Sequence, residues 1–371
     1  MKRVGKRVKK ILKWMGIILL TVIIILVLVI VGVRTVHKNQ TDIKTENGIQ
    51  ESGYVSIGGI EQYIQIRGED VNNPIVIFLH GGPGSNMTYI STYYQTGIED
   101  AFTIVNWDQR GCGRTYFKNQ DSQTSSELSI DTLLTDLDDL TNYVTNRFGQ
   151  EKVIIMGHSW GTIVGSEYVA KHPEKVTAYV GLGQFVNGLE GYRIATKEAA
   201  GRAIKQNKKE DATMLSEVFQ TFSTATSVEN LDIKNYEQMI MLTRKYLNYE
   251  GALSNSSMIF AGITSPEMLF TDFQWFQKMS NTKQAFELEE PLMNYCIFDL
   301  DMRTESTQFD VPMFYISGAQ DYVTPVSLME EYVEKIKAPE KKIVLVENTG
   351  HSLMMDNPDA FCKAVKGVLI Q

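Results

Sequence analysis

The sequence predicts an α/β protein: a mostly parallel sheet covered by helices on both sides, preceded by one long apolar helix. Three observations predict it. Short unbroken runs of β-branched and aromatic residues recur along the chain, separated by stretches with helical spacing, as strands buried on both faces alternate with crossover helices. Glycine-rich turns follow three of those runs: His80-Gly81-Gly82-Pro83-Gly84, Asp108-Gln109-Arg110-Gly111-Cys112-Gly113-Arg114-Thr115 and Gly157-His158-Ser159-Trp160-Gly161. Residues 14–33 carry no charge and are rich in Ile, Leu and Val.

That apolar stretch comes first in the chain. Its 20 residues span about 30 Å as a helix, the thickness of a hydrocarbon core. Lys2, Arg3, Lys6, Arg7, Lys9, Lys10 and Lys13 precede it, and the chain beyond Lys38 is acidic. The positive-inside rule therefore predicts a single-pass cell-membrane anchor, N-terminus cytoplasmic and body outside. A cleaved signal peptide is the competing reading, but its apolar core is shorter and Val31-Gly32-Val33-Arg34 lacks the small residues of a cleavage site. The expected division is 1–13 a cytoplasmic basic segment, 14–33 a transmembrane signal anchor and 34–52 a polar linker. Residues 53–185 and 306–371 are expected to form the core, and 186–305 a helical cap.

Charge narrows the partners. Nine of the 36 basic residues lie in the first 40 positions, leaving 27 against all 44 acidic ones. An acidic body excludes nucleic acid as a partner, since phosphate binding needs clustered basic charge. Cys112, Cys296 and Cys362 are odd in number and widely spaced, so neither a disulfide framework nor a metal site is expected. No cofactor is implied.

Within the body, 54–57 and 62–67 read as a hairpin around Gly58-Gly59. Residues 75–79 and 102–107 read as buried strands. Ser129 reads as the N-cap of a helix with Leu133, Leu137, Leu140 and Val144 on one face, closed by Gly149. Strands follow at 153–156, 176–182, 312–317 and 342–346, with helices at 162–171, 326–337 and 358–369. Residues 186–305 break the rhythm: half of the 16 methionines fall there, with Phe270, Phe273, Trp275 and Phe276 and no strand alternation. A helical lid with soft side chains over an apolar pocket is expected.

A serine on a sharp strand-to-helix turn is held above the sheet, where glycines on either side let the turn close. Its hydroxyl needs a base. Of the five histidines, His37 is beside the membrane stretch, His80 opens a glycine loop, His158 is fixed in the turn pointing away from the serine, and His172 ends a helix. His351, past the last strand, remains. Asp321 follows the preceding strand on the same sheet edge, whereas Asp310 lies at the wrong end. The chain order Ser159, Asp321, His351 is that of an α/β-hydrolase triad. The oxyanion donors expected are the backbone N–H groups of Trp160 and Gly82, with Gly81 next. The glycine loop at 108–115 is expected to brace the oxyanion loop at 80–84 by hydrogen bonds and an Asp108–Arg110 or Asp108–Arg114 pair.

Taken together, HGGPG, WDQRGCGRT and GHSWGT resemble the proline iminopeptidase (prolyl aminopeptidase) branch of the α/β-hydrolases, from about Gly53 to the C-terminus. The resemblance implies release of an N-terminal residue, often proline, from short peptides by Ser159, Asp321 and His351 beneath a helical cap. It also implies cap carboxylates that grip the substrate amine, for which Glu190 is the candidate. The chain departs from the pattern at Thr115, where the family often has serine, and in carrying an anchor. Hydrolysis of carboxylesters or amides by the same fold is the alternative. A non-catalytic surface binding protein is the alternative from another class.

Overall fold

The computed structural model describes residues 2–120 and 127–370, with side chains from residue 10 onward. The side chains of Lys2, Arg3, Lys6, Arg7 and Lys9 lie outside the described residues.

Helix α1 (Lys2–Thr41) leads into an antiparallel hairpin of β1 (Ile49–Ile57) and β2 (Ile60–Gly68). Next come β3 (Ile75–Leu79), the short α2 (Ser91–Tyr94), β4 (Thr103–Asp108), α3 (Gly113–Asn119) and α4 (Ile130–Phe148). Strand β5 (Val153–His158), α5 (Trp160–Lys171) and β6 (Val176–Leu182) complete the first half. Eight helices then intervene: α6 (Gly188–Lys205), α7 (Lys209–Ser223), α8 (Ile233–Tyr246), α9 (Asn255–Thr264), α10 (Phe270–Met279), α11 (Thr282–Leu288), α12 (Glu290–Asn294) and α13 (Met302–Glu305). The sheet resumes with β7 (Met313–Gly318), α14 (Val326–Lys335) and β8 (Lys341–Val346), and α15 (Leu353–Asp356) and α16 (Pro358–Leu369) close the chain.

The sheet has eight strands in the order β1-β2-β4-β3-β5-β6-β7-β8, antiparallel through β1, β2 and β4 and parallel from there on. Its parallel strands β3 and β5 are buried throughout, and apolar up to the His158 that ends β5, as two covered faces require. One core packs α4, α5 and α14 against the sheet, and the opposite one packs α2, α15 and α16. Leu133, Leu137, Leu140 and Val144 of α4 all enter the first. The Ser129 side chain accepts the Thr132 N–H at 3.1 Å, and Gly149 closes the helix at φ 64°.

Register decides what meets at the rim. His158 pairs with Leu182, Leu182 with Ile316, and Gly318 with Val346. The C-terminal ends of β5, β6, β7 and β8 are therefore level, and the loops that leave them share one edge.

The N-terminal region differs from expectation. Residues 34–52 are not an aperiodic linker, because α1 continues to Thr41 and β1 begins at Ile49. Tertiary contacts on one face hold the polar end of the helix. Arg34 Nη2 donates to Met268 O at 2.5 Å and Pro266 O at 3.2 Å, His37 Nδ1 meets Thr264 O at 3.2 Å, and Arg67 Nη2 donates to Thr41 O at 2.5 Å. A residue window without apolar period hides such a helix, since its contacts are polar. The apolar part of α1 is long enough to cross a membrane, by length and composition.

Candidate active site

Ser159 sits between β5 and α5 at φ 52° and ψ −117°, a conformation that costs a non-glycine residue of order 1–3 kcal/mol. The turn is packed so tightly that its glycines are obligatory. A Cβ on Gly157 would lie 2.3 Å from Gly161 O, and one on Gly161 would lie 2.2 Å from Leu79 O. The Ser159 N–H donates to Leu182 O at 3.0 Å, tying the turn to the neighbouring strand end. The hydroxyl stands at the N-terminus of α5, where backbone N–H groups and the helix dipole favour negative charge.

His351 and Asp321 meet on the same rim. His351 Nδ1 lies 2.9 Å from Asp321 Oδ2, which donor chemistry makes an Nδ1–H donating to a carboxylate. Asp321 also accepts the N–H groups of Val323 and Thr324, both at 2.9 Å, and the Thr324 hydroxyl at 2.8 Å. Burial by itself would raise its pKa, but His351 and these donors outweigh it and hold the carboxyl below the usual range. Asp321 is buried and stays charged.

Ser159 and His351 line one cavity of about 610 Å³, together with Gly81, Gly82 and side chains of the intervening helices. Gly82 has φ 121°, and a Cβ there would meet the Gly84 N–H nitrogen at 2.5 Å. Only glycine fits that turn. Gly81 packs against Ser159, its hypothetical Cβ 3.2 Å from Ser159 Cβ. Trp160 opens α5 with its side chain buried, and its indole donates to Gln109 Oε1 at 3.2 Å.

The glycine loop at 108–115 braces this arrangement differently from the predicted ion pairs. Arg110 is bidentate to Asp136 of α4 (2.7 and 2.9 Å), and Arg114 is bidentate to Asp272 of α10 (3.0 and 2.7 Å). Asp108 instead accepts the Arg114 N–H at 2.9 Å and the Thr88 hydroxyl at 2.7 Å. Gln109 makes the brace: its N–H meets His80 Nε2 at 3.3 Å, its amide donates to His80 O at 3.3 Å, and it receives Trp160. Thr115 Oγ1 donates to Asp108 O at 2.6 Å and accepts the Tyr63 N–H at 2.8 Å, so the departure from serine is absorbed by the β2–β4 pairing.

His158 does not turn out of the site. Its ring lies 4.9 Å from that of His351, and its Nε2 is 2.9 Å from His351 O. Burial, reinforced by His351, lowers its pKa to about 3, so it is neutral and donates to that carbonyl. It thereby holds the His351 loop. The role was legible in no spacing, because it requires β5 and the last loop to be neighbours.

Glu190 is placed away from the cavity. Its carboxylate pairs with Arg193 one turn along the exposed side of α6, at 2.7 Å. A different carboxyl group is buried behind Gly84 of the cavity wall. Glu289, between α11 and α12, is 1% exposed, and its Oε1 has no hydrogen-bond partner among the described residues. That oxygen would lie 2.8 Å from a Cβ on Gly84, which lines the cavity beside Met279 and Met293. Burial raises its pKa to about 8. Sequence offers only a weak pointer, an acid inside an otherwise Met- and aromatic-rich helical stretch.

Residues 74–358 match the family described as alpha/beta hydrolase fold. The chain is 27% identical over 311 residues to a Bacillus subtilis (strain 168) protein named Probable aminopeptidase YbaC, covering 84% of this chain and 93% of that one. It is 23% identical over 327 residues to a proline iminopeptidase of Saccharolobus solfataricus, covering 86% and 93%. The structure of a Mycobacterium smegmatis proline iminopeptidase superposes with a TM-score of 0.58 at 18% identity, covering 86% of this chain and 97% of that one, a likeness of fold.

Proposed function

The chain belongs to the α/β-hydrolase fold family, and from that premise we propose that it is a membrane-anchored serine aminopeptidase, releasing N-terminal proline-type residues from short peptides. The observation that carries the reading is the strained Ser159 turn opening into the same cavity as a His351 whose far nitrogen is held by a buried, charged Asp321.

Ser159 Oγ attacks the scissile carbonyl while His351 Nε2 takes its proton. Asp321 keeps the imidazole in the tautomer that leaves Nε2 free to accept, and stabilises the imidazolium without taking the proton. The tetrahedral oxyanion is received by the N–H groups of Trp160 and Gly82, with Gly81 as the neighbouring donor, each worth about 3–4 kcal/mol of barrier. His351 then protonates the leaving amine, leaving the first residue esterified on Ser159. Water, activated by the same imidazole, releases it.

An aminopeptidase must also recognise a cationic α-amino group next to the bond it cuts. Glu289 supports this part of the reading: an unpartnered buried carboxylate beside the oxyanion loop gains its missing partner when an ammonium enters. We assign amine recognition to Glu289 in place of Glu190. The helices α6–α13 form the cap, and α1 anchors the protein with its body outside the cytoplasm.

The apolar wall of the cavity favours a second reading, hydrolysis of short acyl esters by the same triad. Two measurements decide. A fluorophosphonate probe is expected to label the protein and to lose that labelling in Ser159→Ala; a folded, unlabelled protein would leave the binding-protein alternative. Proline and alanine arylamides compared with a short acyl ester set the substrate class, and an ester preference of about a hundredfold in kcat/KM would overturn the peptidase assignment.

A further inference from the structure

We propose that the cap is seated on the membrane surface, with an apolar patch on α9 and α10 inserted into the interface of the bilayer that α1 crosses; the inference rests on the anchor reading of α1. Five large apolar side chains of this region face outward: Ile259, Phe260, Leu269, Phe270 and Phe273, each half or more exposed and Phe270 as much as 73%. Phe270 and Phe273 lie close together, their rings 6.4 Å apart and nearly parallel. Clusters of this kind on a monomer mark contact with an apolar partner.

Their height along α1 identifies the partner. Arg34 is the first charge after the apolar stretch, so it marks the level where hydrocarbon gives way to headgroups. Its guanidinium donates to Pro266 O and Met268 O, which puts that segment at the same level. Leu269 and Phe270 follow directly, and Thr264 at the end of α9 meets His37. The body also covers α1 below Arg34. Among the described side chains of α1, Ile30, Val33, Arg34, His37 and Thr41 are the partly covered positions and the rest are exposed, a single face in helical spacing. Ile30 is four residues into the apolar stretch, about 6 Å at the helical rise. Part of the protein therefore reaches into the hydrocarbon side of the boundary, the depth at which interfacial apolar faces reside.

The patch is rigidly presented. Asp272 is bidentate to Arg114, and the Trp275 indole donates to Gly84 O at 2.8 Å. Those contacts clamp the inner face of α10 and leave Phe270 and Phe273 on the outer one. The same two helices supply Met258 and Phe276 to the cavity, so the membrane-facing elements are also its wall.

The test uses full-length protein in phospholipid vesicles, with nitroxide labels at Phe270→Cys, Phe273→Cys, Ile24→Cys in α1 and Met241→Cys on α8. The three native cysteines are buried. Power saturation with oxygen and a nickel chelate is expected to place 270 and 273 roughly 5–10 Å below the phosphates, 24 deeper, and 241 in water. Nickel access at 270 and 273 equal to that at 241 overturns the proposal. So does shielding from both reagents, the result if a second copy covers the patch. A water-exposed 24 overturns the anchor and the proposal with it. Fluorophosphonate labelling of Ser159 in the same samples reports the hydrolase reading separately.

Discussion

The sheet rim and the helices that cross above it enclose one cavity, yet they are built on opposite terms. At the rim nearly every polar group is spoken for: Asp321 takes four donors, Gln109 links His80 to Trp160, and His158 holds the backbone of His351. The crossing helices offer Met258, Phe276, Met279 and Met293 to it, and between α11 and α12, against Gly84, Glu289 with an unpaired oxygen. Positions on the rim are set by backbone that tolerates no extra atom, whereas the helices shape space with side chains that repack. On the proposed function, reaction chemistry belongs to the first region and choice of substrate to the second.

The contrast breaks most visibly at the rim. Ser159→Ala is expected to lower kcat by about 10⁴-fold or more, and Asp321→Asn by about 10⁴-fold with KM little changed, because His351 then loses its tautomer. Steady-state assays on an arylamide check both. If Asp321→Asn leaves kcat within tenfold of the parent, the rim does not work as a triad. Next is the tie between the regions: Asp272→Ala strands Arg114, 1% exposed, without its partner and is expected to cost about 3–5 kcal/mol in thermal unfolding.

Glu289→Gln sharpens the comparison from the other side. It is expected to raise KM for free-amine substrates by about 10- to 100-fold, the worth of a hydrogen-bonded charge, while an acyl ester is turned over as before. Its stability effect has a definite sign. Burial puts the folded pKa at about 8, against about 4.3 unfolded. Between those values the folded chain keeps a proton that the unfolded chain releases. The contribution of this group to stability therefore falls as pH rises from about 4.3 to 8 and is level beyond. Unfolding followed against pH should show the variant gaining on the parent across that window. His80 and His158 act oppositely. Burial lowers them to about 4 and about 3, the unfolded imidazoles take protons near 6.5, and stability is lost as pH falls below that value. The smallest effect is away from both regions: Ser129→Ala removes the α4 cap for about 1 kcal/mol and leaves kinetics untouched.

Much of the rim was legible in advance because its requirements are local. The strand runs, the Ser129 and Gly149 caps and the glycine turns each declare themselves within a few residues, and the topology of a parallel sheet brings the loops after β5, β7 and β8 to one edge. Where the sequence reading failed, the partner was distant. Spacing pairs the arginines of the 108–115 loop with nearby Asp108, whereas they reach Asp136 and Asp272. Glu190, the candidate for the substrate amine, is engaged instead by its own neighbour Arg193. The polar end of α1 looked aperiodic because its contacts are hydrogen bonds to carbonyls 227 to 234 residues away.

Pattern along the chain thus determined the alternation of strands and helices, the strained serine turn and the loops that carry Ser159, Asp321 and His351, since hydrophobic period and glycine geometry act over a few positions. Tertiary structure alone decided which carboxylate is buried without a partner, which histidine holds the backbone of His351, and which face of the intervening helices stands beside α1. Those outcomes depend on desolvation and on contacts between segments hundreds of residues apart, and no local spacing encodes either.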